Sequence, residues 1–336
     1  MRQKPCHPHK KTRGQRIGQP LDDQKDSEPC EQVVHQVNCR RLPAASEPVS
    51  ALAPEPAYYS DPLWAPDGKH IAFKDNRLNT WILNLATGKL SAAGPADEFG
   101  GFANGSRGMA WSPDGQWFVY ARVSGNHFPV LMLHDVATGK RRLLASFRGS
   151  NSAPAWSPDG RQVVATLSIS GNAQIYGMDA NGGEPRRLSN SSSIDTEPVF
   201  SADGKAIFFV SDRGGSPQIY RMDAAGGGAQ RLTFNGNYNI SPAPSPDGRW
   251  LAYISRIGGA FRLHVMDLAS GQVTAVTDSS ADESPSFSPN SRLIIYATRD
   301  KGQEALMTTT VDGRIKTRLA GSQGDIREPE WGPFLK

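Results

Sequence analysis

The first 56 residues of this 336-residue chain contain no Phe, Tyr or Trp; every one of the 7 Trp, 8 Tyr and 13 Phe lies at or after Tyr58. A polar segment with no aromatic side chains cannot bury enough apolar surface to offset the entropy of ordering itself. Residues 1–56 are therefore expected to be a disordered or foreign tail, and residues 57–336 the folded body. The chain also lacks any run of about 18 apolar residues, which excludes a transmembrane helix. Its N-terminus carries Arg2, Lys4, Lys10, Lys11, Arg13 and Arg16 but no apolar stretch behind them, so a secretory signal peptide is not expected in this sequence.

Cysteine is scarce and badly placed for chemistry. Cys6, Cys30 and Cys39 all lie in the tail, leaving the body without a disulfide framework or a thiol nucleophile. With His7, His9 and His35 they match none of the paired spacings of structural zinc sites. No G-x-S-x-G elbow occurs; the nearest segment, Gly214-Gly215-Ser216-Pro217-Gln218, fails at its last position and has proline where an elbow must turn. H-E-x-x-H, phosphate-loop and dinucleotide fingerprints are missing too. His70, His127, His134 and His264 fall in different repeats and read as strand or surface histidines, so no enzyme and no bound cofactor is expected.

Excess charge is also modest. Nine basic and seven acidic residues precede Ala57, so half of the net charge of +4 belongs to the tail. A nearly balanced body has no clustered basic face, and nucleic acid is not an expected partner.

The body has a repeat. Trp64-Ala65-Pro66-Asp67-Gly68, Trp111-Ser112-Pro113-Asp114-Gly115 and Trp156-Ser157-Pro158-Asp159-Gly160 are followed by looser copies at Phe200–Gly204, Pro244–Gly248 and Phe287–Ser291. The steps between their first residues are 47, 45, 44, 44 and 43, and a further 44 leads to Trp331. After each Asp-Gly comes a β-branched and aromatic run such as Gln162–Leu167, then an alternating segment such as Gln174–Asp179, then a Gly-rich turn and a short basic-apolar segment such as Arg186–Ser189. That makes four short strands per unit, with the Asp-Gly pairs expected in two-residue hairpin turns that need positive φ. A calcium-loop reading of these aspartates fails for want of the D-x-D-x-D-G series.

Four-stranded units repeated every 40 to 50 residues describe an all-β fold, a six-bladed β-propeller of the WD40-like kind. Seven candidate innermost strands compete for six places, so the Pro62 segment and Glu328-Pro329-Glu330-Trp331 are expected to contest the first blade; a C-terminal win would close the ring with a clasp of one strand and three.

The loops that lead into the innermost strands must emerge together around one channel mouth. They supply Ser150, Asn151, Ser152 and Ala153; Asp195, Thr196 and Glu197; Tyr238 and Asn239; Asp282 and Glu283; Arg327 and Glu328, with Ile194 as a further large anchor. A ring of converging polar loops on a rigid scaffold suits protein binding.

From about Pro129 onward the chain resembles the propeller of TolB, the periplasmic component of the Tol-Pal cell-envelope system. The resemblance rests on Phe147–Gly160, Asp195-Thr196-Glu197-Pro198, Ser211–Tyr220, Asp282–Phe287 and Glu328–Phe334. It implies a non-enzymatic periplasmic protein that docks the peptidoglycan-associated lipoprotein Pal at the channel mouth and works with other Tol-system proteins in envelope integrity. Ser150, Asn151, Ala153, Thr196 and Glu197 are then the first contact residues, and a calcium ion in the channel is a further implication. TolB carries an α/β domain before its propeller, which residues 1–56 do not resemble. Residues 58–125 look more like the first propeller of tricorn-type serine peptidases, which leaves a second reading: the substrate-gating propeller of a tricorn-type or prolyl-oligopeptidase-like peptidase without its catalytic domain.

Overall fold

The computed structural model describes residues 33–34, 59–77, 79–93, 108–123, 129–320 and 327–334. The cysteines and histidines of the tail, His127, Asp325 and Ile326 lie outside the described residues. Among the described residues every regular element is a strand.

Six sheets each contain four consecutive antiparallel strands in the order of the chain. Blade 3 is representative, with strands Asn151–Trp156, Gln162–Leu167, Gln174–Asp179 and Arg186–Arg187. Blades 1 to 6 begin at Ser60, Met109, Asn151, Asp195, Tyr238 and Glu283, and the first strands of neighbouring blades lie against one another around the channel. The expected six-bladed propeller is the architecture.

Period-two alternation builds the core between blades rather than inside one. Val163, Ala165 and Leu167 of blade 3 pack with Val119, Leu131 and Leu133 of blade 2. Their neighbour Val164 points the other way, to Phe200, Ile207 and Phe209 of blade 4. Each fully buried side chain of this size contributes about 1.5–3 kcal/mol, so every blade is stabilised by both neighbours.

The Ser-Pro-Asp-Gly turns differ from expectation. Strands end at Trp111 and resume at Trp117, so the connection has five residues rather than two. Gly115 donates to the Ser112 carbonyl at 2.9 Å and takes the positive φ of 71°, while Asp114 does not. The aspartate instead ties the turn together through its side chain. Its Oδ1 accepts the Ser112 hydroxyl at 2.6 Å and the Gln116 amide at 3.0 Å, and the serine oxygen in turn accepts the Trp117 amide at 2.9 Å.

Closure differs too. Ser60–Trp64 holds the innermost place of blade 1, and the C-terminal Glu330–Trp331 does not displace it. That closing strand instead lies between the first strands of blades 6 and 1 and pairs antiparallel with Val33–Val34. Both contested segments fit because the ring has seven staves and six full blades.

Candidate functional site: the channel mouth

Antiparallel order places the loops entering the first strands and the hairpins between second and third strands on one face, and the Ser-Pro-Asp-Gly turns on the other. The first of these faces is the channel mouth, and the predicted loop residues do gather there. They separate into three groups.

The residue three before each proline is a clamp. Asn151, Asp195 and Asn239 are fully buried, and Asp282 is 2 % exposed. Asn151 bridges Phe147 and Gly149 backbone groups. Asp195 receives both bonds of the Arg213 guanidinium at 2.8 and 2.9 Å, under which Tyr220 and Phe209 lie at 5.0 and 5.4 Å. Asn239 donates to Gln218 at 2.7 Å. Asp282 accepts from Thr298 Oγ1 at 2.6 Å, the Leu263 amide at 3.0 Å, and the Thr277 and Ser279 hydroxyls. These side chains hold the loops in shape and offer little surface to a partner.

The residue just before each proline is a left-handed bulge. Asp61, Ala153, Glu197, Ser241, Ser284 and Glu328 have φ between 49° and 56°, and the strand register shifts at this point in blades 1, 3, 4, 5 and 6. A non-glycine residue in this region costs about 1–3 kcal/mol, and such strain concentrates at functional rims. Two of the six also link neighbouring staves: the Glu197 carboxylate accepts the Ser241 amide at 2.9 Å, and Glu328 accepts the Asp61 amide at 2.7 Å. Burial pushes the Glu197 carboxyl up to about 7 against one opposing amide bond. Burial and the adjacent Asp61 carboxylate push Glu328 up to about 7 as well, although Lys74 holds Asp61 at 2.6 Å.

Ser150, Ser152, Thr196, Tyr238, Glu283 and Arg327 remain partly exposed and form the accessible rim. Burial raises the Glu283 carboxyl, opposed by the Arg327 charge, and Arg327 reaches Glu304 at 3.1 Å. A cavity of about 370 Å³ opens among blades 5, 6 and 1 beside Glu283, Glu328 and Phe261; below it runs a channel of about 500 Å³ lined by the proline segments of the staves.

Sequence reasoning named Ile194 but missed three companions. Ile169, Ile194, Phe234 and Ile257 are 41, 50, 72 and 41 % exposed, and all four sit on mouth-face loops of blades 3, 4 and 5. Their signal was an apolar residue set in a turn, as in Thr233-Phe234-Asn235-Gly236.

The acidic rim does not suit a calcium ion. Among the described residues no three Asp, Glu, His or Cys side chains converge, and the carboxylates of Asp195, Asp282, Glu197 and Glu328 are already engaged by the bonds above.

Fold and rim together define a repeat-built β-propeller with a clamped, polar channel mouth bearing apolar side chains. The model of the TolB beta propeller domain matches residues 108–335, and the chain belongs to that family. Over 227 residues it is 70 % identical to the Tol-Pal system protein TolB of Albidiferax ferrireducens and equally to that of Polaromonas naphthalenivorans, covering 68 % of this chain and 53 % of each relative. The chain thus spans about half the length of these curated relatives. A crystal structure of TolB from Acinetobacter baumannii shares 35 % identity at a TM-score of 0.61 over 81 % of this chain and 66 % of its own. An oligogalacturonate lyase (18 % identity, TM-score 0.58, 74 % of this chain and 76 % of its own) and a puromycin-hydrolyzing peptidase of Mycobacterium tuberculosis (16 %, 0.61, 78 % and 44 %) share the fold alone. The family match leaves residues 58–107 uncovered, which is most of the segment that resembles the peptidase propeller.

Proposed function

We propose that the chain is a non-enzymatic binding propeller that docks a Pal-type peptidoglycan-associated lipoprotein on its channel mouth in the periplasm, within the Tol-Pal system. The reading is supported by relatives named as Tol-Pal system proteins. The observation that carries it is the pairing on one face of a rigid polar rim with four exposed apolar side chains. Interfaces are dominated by a few apolar anchors that a polar rim shields from water, and here Ile194 and Phe234 are the anchors while Thr196, Glu197, Tyr238 and Glu283 are the rim. No helix among the described residues is long and apolar enough to cross a membrane.

Titration calorimetry with purified Pal tests this. The expected result is one-to-one binding that weakens more than tenfold in Ile194→Asp with Phe234→Asp, and severalfold in Thr196→Ala with Glu197→Ala. A chain that folds but takes up no Pal ends the proposal.

A further inference from the structure

The seventh stave is a complete repeat on its inner side and an incomplete one outside. Glu328-Pro329 has the same left-handed bulge as the other staves, with φ of 53° at Glu328. The stave is tied to both neighbours: Glu328 accepts the Asp61 amide at 2.7 Å, Glu330 accepts the Trp64 amide at 2.8 Å, and Trp331 donates its amide to Ser286 Oγ at 3.3 Å. Gly332 lies flat on the Trp64 indole, so close that a Cβ there would come within 2.9 Å of the ring. Yet this stave begins a sheet of two strands where all the others begin sheets of four.

Two features mark the space outside it as a blade position. Along His70–Lys74, Ala72 turns toward blade 2, so Ile71 and Phe73 turn to the seventh position. There they form an apolar face with Trp64, Leu83 and Trp81 whose described members all come from blade 1. Every other junction between blades has a shared core; among the described residues the junction of blades 6 and 1 has none. The second feature is the partner already there: Val33–Val34 pairs with the outer edge of Glu330–Trp331, in the register Val33 to Trp331 and Val34 to Glu330.

We propose that residues 31–57 are the occupant of this position, an extended segment of the same chain that builds the seventh blade outward from the closing strand. The ring is then locked by both chain ends, the C-terminal stave and the N-terminal strand laid on it. An edge strand with unpaired backbone groups is a template for such addition, and main-chain bonds supply the affinity without demanding a special side chain. The tether permits it: about 25 residues separate Val34 from Ser60, a reach of roughly 80 Å when extended. So short a connection holds the segment at millimolar effective concentration, which favours it over a second copy.

Amide hydrogen exchange on the full chain tests this, alongside a Val33→Pro, Val34→Pro variant that removes both backbone donors. The wild-type chain is expected to protect amides within 31–57 and across 328–334 at least tenfold over an unstructured peptide. The variant loses the protection of 328–334 and weakens that of Ser60–Trp64, with blades 3 to 5 unchanged. Lack of protection in 31–57, or a variant indistinguishable from wild type, overturns the proposal. Protection that fades on hundredfold dilution also overturns it, by assigning the strand to another copy. None of these readouts involves a lipoprotein, so the docking proposal stands or falls separately.

Discussion

Glu197 carries two duties that conflict. Its carboxylate accepts the Ser241 amide and so joins blades 4 and 5, but the same position strips it of water and lifts its pKa from 4.5 to about 7. In the unfolded chain the group ionises near 4.3. Between about pH 4.5 and 7 the folded protein therefore holds a proton that the unfolded chain has released. Folding then becomes less favourable as pH rises through that window, and is unaffected below it. Glu197→Gln keeps an acceptor for the Ser241 amide and removes the ionisation. We expect the variant to match wild type near pH 4 and to exceed it at pH 8 by about 2 kcal/mol, a value discounted for the partial exposure of the rim. Urea melts at the two pH values measure it; equal wild-type and variant stability at pH 8 would contradict the assignment of Glu197 as a desolvated carboxyl.

At the scale of the element, the repeated turn is held by one hydroxyl. Ser157 is 6 % exposed; it donates to Asp159 at 2.6 Å and accepts the Gln162 amide at 2.9 Å. The same pair of bonds recurs at Ser201 and Ser245. Ser157→Ala leaves that amide without its partner, and a loss of about 1–2 kcal/mol is expected in thermal or denaturant melts. Blade 1 shows how the turn survives without serine. Ala65 stands there, and Asp67 instead takes the Lys69 and His70 amides at 2.8 and 3.2 Å and the His70 ring at 2.8 Å, so an added His70 substitution should destabilise blade 1 as Ser157→Ala does blade 3. These turns also mark where the sequence was and was not legible. The period, the strands Gln162–Leu167 and Gln174–Asp179, and the single mouth face follow from spacing and alternation, which one chain displays directly. The five-residue geometry of the turn did not, because Asp-Gly reads alike whether Asp takes positive φ or binds a hydroxyl. Nor could residue type separate clamp from rim: Asp195 and Glu283 are both acidic loop residues, and only the packing of Arg213 against the first makes it internal.

For the whole molecule, what matters is that blades are stabilised through their junctions. Each of five junctions has a shared apolar core, while among the described residues blades 6 and 1 meet only through the closing strand. A closed ring of similar blades would open with equal cost anywhere; a ring with one weak seam opens there first. Strand Trp250–Ile257 of blade 5 and Ala206–Ser211 of blade 4 are flanked by cores on both sides, so their amides should exchange only through global unfolding. His70–Lys74 of blade 1 and Leu293–Asp300 of blade 6 have a shared core on one side, and their amides should exchange through a smaller opening with lower denaturant dependence. Exchange measured at increasing sub-denaturing urea separates the two classes. If blades 1 and 6 exchange as slowly as blade 4, and with the same urea dependence, the seam is as strong as the other junctions and the mouth is rigid all round. If they open first, the rim between Glu283 and Asp61 is the part of the channel mouth that can widen without disturbing Ile194 and Phe234, and a partner anchored on blades 4 and 5 would meet a movable far wall.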